Sequence, residues 1–219
     1  MKNIKSCSFY FITNSSVRKY FLFLLIIVTF YSNGFFISTA FANVTDITED
    51  ISINTNWSVA DSPLIIKNDI AVVEGATLTI DPGVIIKFEY GTSLIVDGKL
   101  EALGTEQEPI YFTSSLDDSL GGDTNNDEDG TSPSESDWGY IFIDSAEPKS
   151  ILNNVVQKYS DQGLVLYDGG SVVSDNFHSD KGVLTFGSNS FFSNLNIPFI
   201  EIYNNSSIYI DEAIISNQL

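Results

Sequence analysis

The chain has 219 residues, with 29 acidic against ten basic side chains and a formal charge of −19. That balance repels phosphate backbones and anionic lipid and excludes nucleic acid as a partner. A single cysteine excludes a disulfide framework, so stability must come from burial, for which this length suffices.

Residues 1–42 contain Lys2, Lys5, Arg18 and Lys19 and no acidic residue. An uncharged apolar run follows Lys19, and Ala40–Phe41–Ala42 closes it with small residues in the spacing of a cleavage site. This pattern predicts a signal peptide over 1–42. The alternative is an uncleaved anchor, since the run is long enough to span a bilayer. Either way the positive end stays inside and the rest is exported. The expected location is therefore secreted or cell-surface, with no membrane span once the signal is cut. Cys7 falls within the signal. Beyond it, six lysines and no arginine face all 29 acidic residues.

Residues 43–63 read as a lead-in or N-terminal cap, with a short helical piece near Val59–Asp61. From 64 to 219 short strands alternate in period two. The triplets Leu78–Ile80, Leu94–Val96 and Ile110–Phe112 recur every 16 residues, punctuated by turns such as Asp81-Pro82-Gly83. A second phrase, serine followed four places later by Asn or Asp, begins at Ser150, Ser171, Ser190 and Ser207. Behind its members come the strands Gly163–Tyr167, Gly182–Phe186 and Phe199–Tyr203. Several short strands per repeat of about 20 residues predict a solenoid of stacked coils. One coil cannot bury its inward face alone, but stacked coils share a core. Recurring Asn and Asp suit tight turns or side-chain ladders. The fold class is all-β, a parallel β-helix, with little helix.

The phrases "GATLTIDPGVIIKF", "LIVDGKLEALGT" and "PIYFTS" resemble the first coils of right-handed parallel β-helix repeat proteins exported by bacteria and archaea, within the pectate-lyase-like superfold. The likeness continues through "DWGYIFID" and "SILNNVVQKYSDQGL" and covers roughly 52–215. It implies a right-handed β-helix whose end is covered by an early strand or loop. It is much less specific for function, because this architecture serves lyases, hydrolases, adhesins and structural modules.

In that register 113–137 is an acidic insertion at a coil corner. A loop of this length without its own elements points to function or disorder. Oxygen side chains at Asp123, Asn125, Asp127 and Asp129, followed by Gly130, are what a calcium loop needs, because this hard cation takes six to eight oxygens from a sharply curled chain. Two registers are open. From Asp123, Glu128 occupies the place usually held by glycine. From Asn125, Gly130 falls correctly but the twelfth place is Ser136, so Glu135 or Asp137 would supply the last ligand. The expected cofactor is Ca²⁺ at Asp123, Asn125, Asp127, Asp129, Glu135 and Asp137, held with an affinity on the order of 10⁻⁴–10⁻³ M.

No catalytic residue is assigned. His178 is the one histidine. The superfold's lyases use an arginine or lysine base near a calcium cluster, yet no arginine follows Arg18. Its galacturonan hydrolases use spaced aspartates with a Gly-His-Gly and a basic pair, and only Asp117-Asp118 is present. Trp57, Trp138 and Tyr140 could form a sugar-stacking platform. Phe88, Phe112, Phe142, Phe177, Phe186 and Phe192 read as core ladders, and Trp138 as the anchor of the insertion's exit. The expected function is an exported non-catalytic module: a surface, adhesin-like or carbohydrate-contacting scaffold, with polysaccharide or cell-surface glycan as partner. The alternative is a polysaccharide lyase or glycoside hydrolase of this fold, or a fragment of one. "SIYIDEAIISNQL" stops inside a repeat phrase, which suggests a longer protein.

Overall fold

The computed structural model describes residues 44–128, 130–145 and 148–215. The expected signal peptide lies outside the described residues, as do Asp129 and the last four positions. No helix among the described residues is long and apolar enough to cross a membrane.

The described chain is a parallel solenoid of short strands. β1 (Thr45–Ile47) and β2 (Thr55–Trp57) belong to the first coil. The next coils supply β3 (Leu64–Ile66), β4 (Ile70–Val72) and β5 (Thr77–Ile80), then β6 (Ile85–Phe88), β7 (Leu94–Val96) and β8 (Lys99–Leu103). β9 (Ile110–Ser114) precedes the insertion, and β10 (Trp138–Ile143) and β11 (Ser150–Gln157) follow it. The remaining strands are β12 (Ser160–Tyr167), β13 (Val172–Ser179), β14 (Val183–Phe186), β15 (Asn189–Ser193), β16 (Leu195–Ile197), β17 (Ile200–Tyr203), β18 (Ser207–Ile210) and β19 (Ala213–Ile215).

Parallel pairing sorts these strands into three walls. Wall A stacks β1, β3, β6, β9, the second halves of β11 and β13, then β16 and β19. Wall B stacks β4, β7, β10, β12, β14 and β17. Wall C stacks β2, β5, β8, the first halves of β11 and β13, then β15 and β18. The expected lead-in is thus itself a coil: β1 lies on β3, β2 lies on β5, and Ile51 bridges to Val72. The short helical piece is present, a 3-10 turn at Val59–Asp61 whose start Ser58 is held by the Asp61 carboxylate.

The 16-residue period is not the coil. Leu78 lies on wall C, Leu94 on wall B and Ile110 on wall A. Similar triplets on three walls mimic a repeat because each wall wants the same apolar alternation. The true neighbour of Leu78 is Leu100, 22 residues on. The serine phrase does mark one wall, but one place out of register: Ser150 pairs with Val172 rather than Ser171, and Ser190 with Ile208 rather than Ser207. The coil shortens to 18 residues after β13.

Apolar residues from all three walls point into one core. Rows such as Leu64–Ile86–Phe112, Ile70–Leu94–Ile141–Leu164–Val183 and Ile80–Ala102–Leu152 are buried. Burial at about 25 cal/mol per Å² of apolar surface is the main stabilising contribution. Gln157, a polar side chain taken into the core, donates to the Gly163 carbonyl at 3.0 Å, whereas the buried hydroxyls of Thr185 and Ser188 have no hydrogen-bond partner.

Asparagine makes the bend between walls C and A. Asn154, Asn176 and Asn194 stand at equivalent positions with φ of 49°, 60° and 52°. Asparagine tolerates this left-handed region better than other non-glycine residues. The Asn176 amide donates to Asn154 Oδ1 at 2.8 Å, and the Asn154 amide to the Gly104 carbonyl at 3.1 Å. The bend is therefore a side-chain ladder as well as a turn.

Candidate functional site

Two features stand outside the core: the insertion laid over wall A and a row of rings on the outer side of wall B.

β9 keeps Thr113 and Ser114, so the insertion proper begins at Ser115. The chain turns at Gly121 (φ +68°), where an added Cβ would stand 3.1 Å from Pro63. It therefore covers the outer side of wall A and closes off Ile65 and Lys87, which are 2% and 0% exposed. The Lys87 ammonium donates to the Gly122 carbonyl at 2.7 Å and to Thr124 Oγ1 at 3.1 Å. Burial pulls its pKa down, while the carboxylates of Asp118, Asp117 and Asp123 pull it up.

Asp123 organises the tip. Its Oδ1 accepts the N–H groups of Asn126 at 2.7 Å and Asp127 at 3.3 Å, and its Oδ2 accepts that of Glu128 at 2.9 Å. Glu128 has φ of 60°. It adopts the conformation for which glycine is favoured at the sixth place of a calcium loop, so the curl follows the register that starts at Asp123. Carboxylate oxygens of Asp118, Asp123 and Asp127 lie within 4.8 Å of one another. Asn125 Oδ1 and Asp127 Oδ1 are closed from solvent with no hydrogen-bond partner.

Of the residues expected as ligands, Asp123 and Asp127 converge, with Asn125 beside them. Glu135 and Asp137 are engaged elsewhere. Glu135 pairs with Lys181 at 3.2 Å. Asp137 accepts from Ser114 Oγ at 2.7 Å and from the backbone and hydroxyl of Ser134 at 3.0 and 2.8 Å, pinning the exit of the insertion. Asp118 was read in the sequence only as half of an acidic pair. It joins the cluster because the insertion folds back on its own start. The other half, Asp117, is buried and accepts from Thr113 Oγ1 at 2.7 Å.

Trp138 begins β10, is fully buried and is no sugar platform. Phe88, Phe112, Phe177 and Phe192 are core residues as expected, but Phe142 and Phe186 are not. β10 reads Ile141-Phe142-Ile143, apolar on both phases, and the two isoleucines take the inside. On the outer side of wall B, Tyr140, Phe142, Tyr167, Phe186 and Tyr203 form a continuous row. Successive ring centroids are 6.0, 5.7, 5.9 and 4.8 Å apart. Tyr140, Gly163 and Gly182 are register equivalents, and an added Cβ at Gly182 would stand 2.3 Å from the Phe199 ring. The glycines let rings and backbone lie close together there. Tyr203 donates to Glu201 at 2.6 Å.

Carboxylates border this row. Asp144 follows β10, and its pKa is raised by burial and by the nearby Asp168 and Asp97. Lys181, on the opposite border, is already paired to Glu135.

No family model matches the chain, and no solved structure matches it. Among curated proteins, 55 residues, 25% of this chain, are 42% identical to Protein bark beetle of Drosophila melanogaster, of which they cover 2%. The chain thus spans a small fraction of that relative's length, and the match assigns neither family nor activity.

Proposed function

We propose that the chain is an exported, non-catalytic, right-handed β-helix module of the cell surface, adhesin-like in role, which contacts carbohydrate through wall B and is stiffened at its insertion by calcium. The observation that carries the reading is the outer aromatic row from Tyr140 to Tyr203, one ring or more per coil over four successive strands. Such a row has a use where a partner offers repeated apolar faces, as the C–H faces of sugars do, and aromatic side chains supply both area and polar tips. The right hand is the one that parallel crossovers take in nearly all cases.

Calcium fits the insertion. Three carboxylates drawn together repel, and the inward oxygens of Asn125 and Asp127 have no protein partner. A divalent ion with oxygen ligands removes both costs. Asp118, Asp123, Asp127 and Asn125 would hold it.

A glycan-array screen of the chain, repeated with Phe142→Ala/Tyr167→Ala, tests the carbohydrate reading. Binding that the double variant loses is expected, and an array with no bound glycan would overturn it. Release of reducing sugar from a bound polymer would favour the lyase or hydrolase alternative. Calorimetry with millimolar calcium chloride tests the insertion. Heat that disappears in Asp127→Ala is expected, and none in the unaltered chain would end the calcium part.

A further inference from the structure

The occupant of wall B can be narrowed by charge and spacing, an inference that rests on the carbohydrate reading above. From Phe142 onward the aromatic row advances by one coil per strand, with rings 4.8 to 5.9 Å apart. That step is close to the rise of one sugar in an extended β-1,4-linked chain, so a polymer lying along the solenoid axis meets an aromatic side chain at nearly every residue. A globular partner has no need of such a repeat. Phe186 and Tyr203 stack on one another at 6°, and Phe142 and Tyr167 at 29°, and each pair closes the faces it shares, so only the faces turned away from the partner ring can meet a ligand. The pairs Tyr140–Phe142 and Tyr167–Phe186 are tilted by 55° and 50°, which leaves ring face open to a ligand.

Charge then selects among polymers. Asp97, Asp144 and Asp168 are exposed along one border of the row, where Asp97 and Asp168 both lie close enough to act on the charge of Asp144. Glu201 stands beside Tyr203 at its end. Asp161 is exposed at the start of β12. The nearby cation Lys181 is spoken for by Glu135. The chain as a whole carries −19. Uronate and sulfated glycans would be repelled by this border. A sugar polymer bearing ammonium groups would be attracted, with carboxylates for its charges and rings for cation–π contact.

We propose that wall B binds an extended polymer of amino sugars with free ammonium groups, of the chemistry of partially deacetylated β-1,4-linked glucosamine, with Phe142 and Tyr167 stacking on the sugars and Asp144 and Asp168 pairing with the ammonium groups. Asp97, one coil before Asp144 in register, extends the same border, while Glu201 stands level with Phe142 within the wall.

The test is calorimetric titration of the full chain with four probes: glucosamine oligomers, cello-oligomers of equal length, polygalacturonate, and a lysine-rich peptide of matched charge. Tyr167→Ala and Asp144→Asn/Asp168→Asn are compared with the unaltered chain. These side chains are exposed or lie outside the core, and circular dichroism checks that the β signal is kept. The expected result is binding of glucosamine oligomers, weakened by salt and about tenfold by either variant, with none of polygalacturonate. Equal binding of cello-oligomers with the same dependence on Tyr167 would overturn the amino-sugar inference and leave carbohydrate contact standing. Binding of the lysine peptide as tightly as the oligomers, unchanged by Tyr167→Ala, would also overturn it. No binding of any oligosaccharide would overturn both readings.

Discussion

Trp138 lies flat on Phe88, ring centroids 4.1 Å apart and planes 9° from parallel, while its indole N–H donates to the Lys158 carbonyl at 2.7 Å. Phe88 ends the strand that the insertion covers, and Trp138 begins the strand to which the chain returns. One side chain therefore fixes where a loop of more than twenty residues rejoins the solenoid. Trp138→Ala removes a fully buried indole and should cost about 3–5 kcal/mol. Trp138→Phe keeps a ring on Phe88 but leaves the Lys158 carbonyl without its donor, at about 1–3 kcal/mol. Urea unfolding of the three proteins checks the order. A loss below about 1 kcal/mol for alanine would show that the stack does not hold the coil.

Lys87 is the fastening on the other side of the insertion. It points away from the core, yet it is buried because Gly122 and Thr124 close over it. Lys87→Met keeps the apolar stem and removes the charge. Hydrogen bonds to a charged group contribute about 1.5–3 kcal/mol, and the variant should lose that much local stability. The readout is proteolysis: cleavage between 115 and 137 should become faster while the coils stay resistant. Unchanged cleavage would mean that the insertion is held by something other than this ammonium.

The asparagine ladder separates backbone from side-chain effects. Asn176 is exposed, has φ of 60° and donates to Asn154. Asn176→Gly loses the hydrogen bond, about 1 kcal/mol, but suits the backbone. Asn176→Ala loses the bond and also strains the left-handed residue by about 1–2 kcal/mol. Alanine should therefore be worse than glycine, the reverse of their order in a strand or helix. Equal midpoints in thermal unfolding would refute the ladder's conformational role.

His178 gives a pH signature that a single resonance can follow. It faces outward on wall A, where Val156 and Asn196 flank it in register. Burial lowers its pKa first of all; Asp180 opposes this and Lys158 reinforces it. A histidine depressed in the folded state binds fewer protons there than in the unfolded chain. Its contribution to stability is thus present above the unfolded value, about 6.5, and is lost as pH falls through the folded value. NMR titration of the imidazole should give a midpoint below about 6.5. In His178→Gln that part of the stability slope should vanish. A midpoint above the unfolded value would reverse the sign and defeat the prediction.

Much of the architecture was legible from local pattern. Strands such as Thr77–Ile80 alternate cleanly, the 3-10 turn at Val59–Asp61 is marked by Ser58 and Asp61, and the recurring asparagines are the bend. Three of the four residues gathered at the tip of the insertion were equally readable, since Asp123, Asn125 and Asp127 are spaced for one turn of a curled loop. Asp118 was not, because nothing near it in the chain says that the loop folds back. Nor was the burial of Lys87, which depends on Gly121 and Gly122 meeting Pro63 and wall A from a distance.

The amino-acid order by itself determined that this chain forms short parallel strands around a shared apolar interior, because period-two alternation with turn residues at each corner leaves few other ways to bury those faces. Only the folded coil decided which residues stack and which side faces out. Turn lengths vary, so the neighbour of Leu78 is Leu100 rather than Leu94, and strands apolar on both phases hold no local signal to choose between Ile141 and Phe142. That choice is made by the space inside a stack of coils, which took the isoleucines and left the rings of wall B outside.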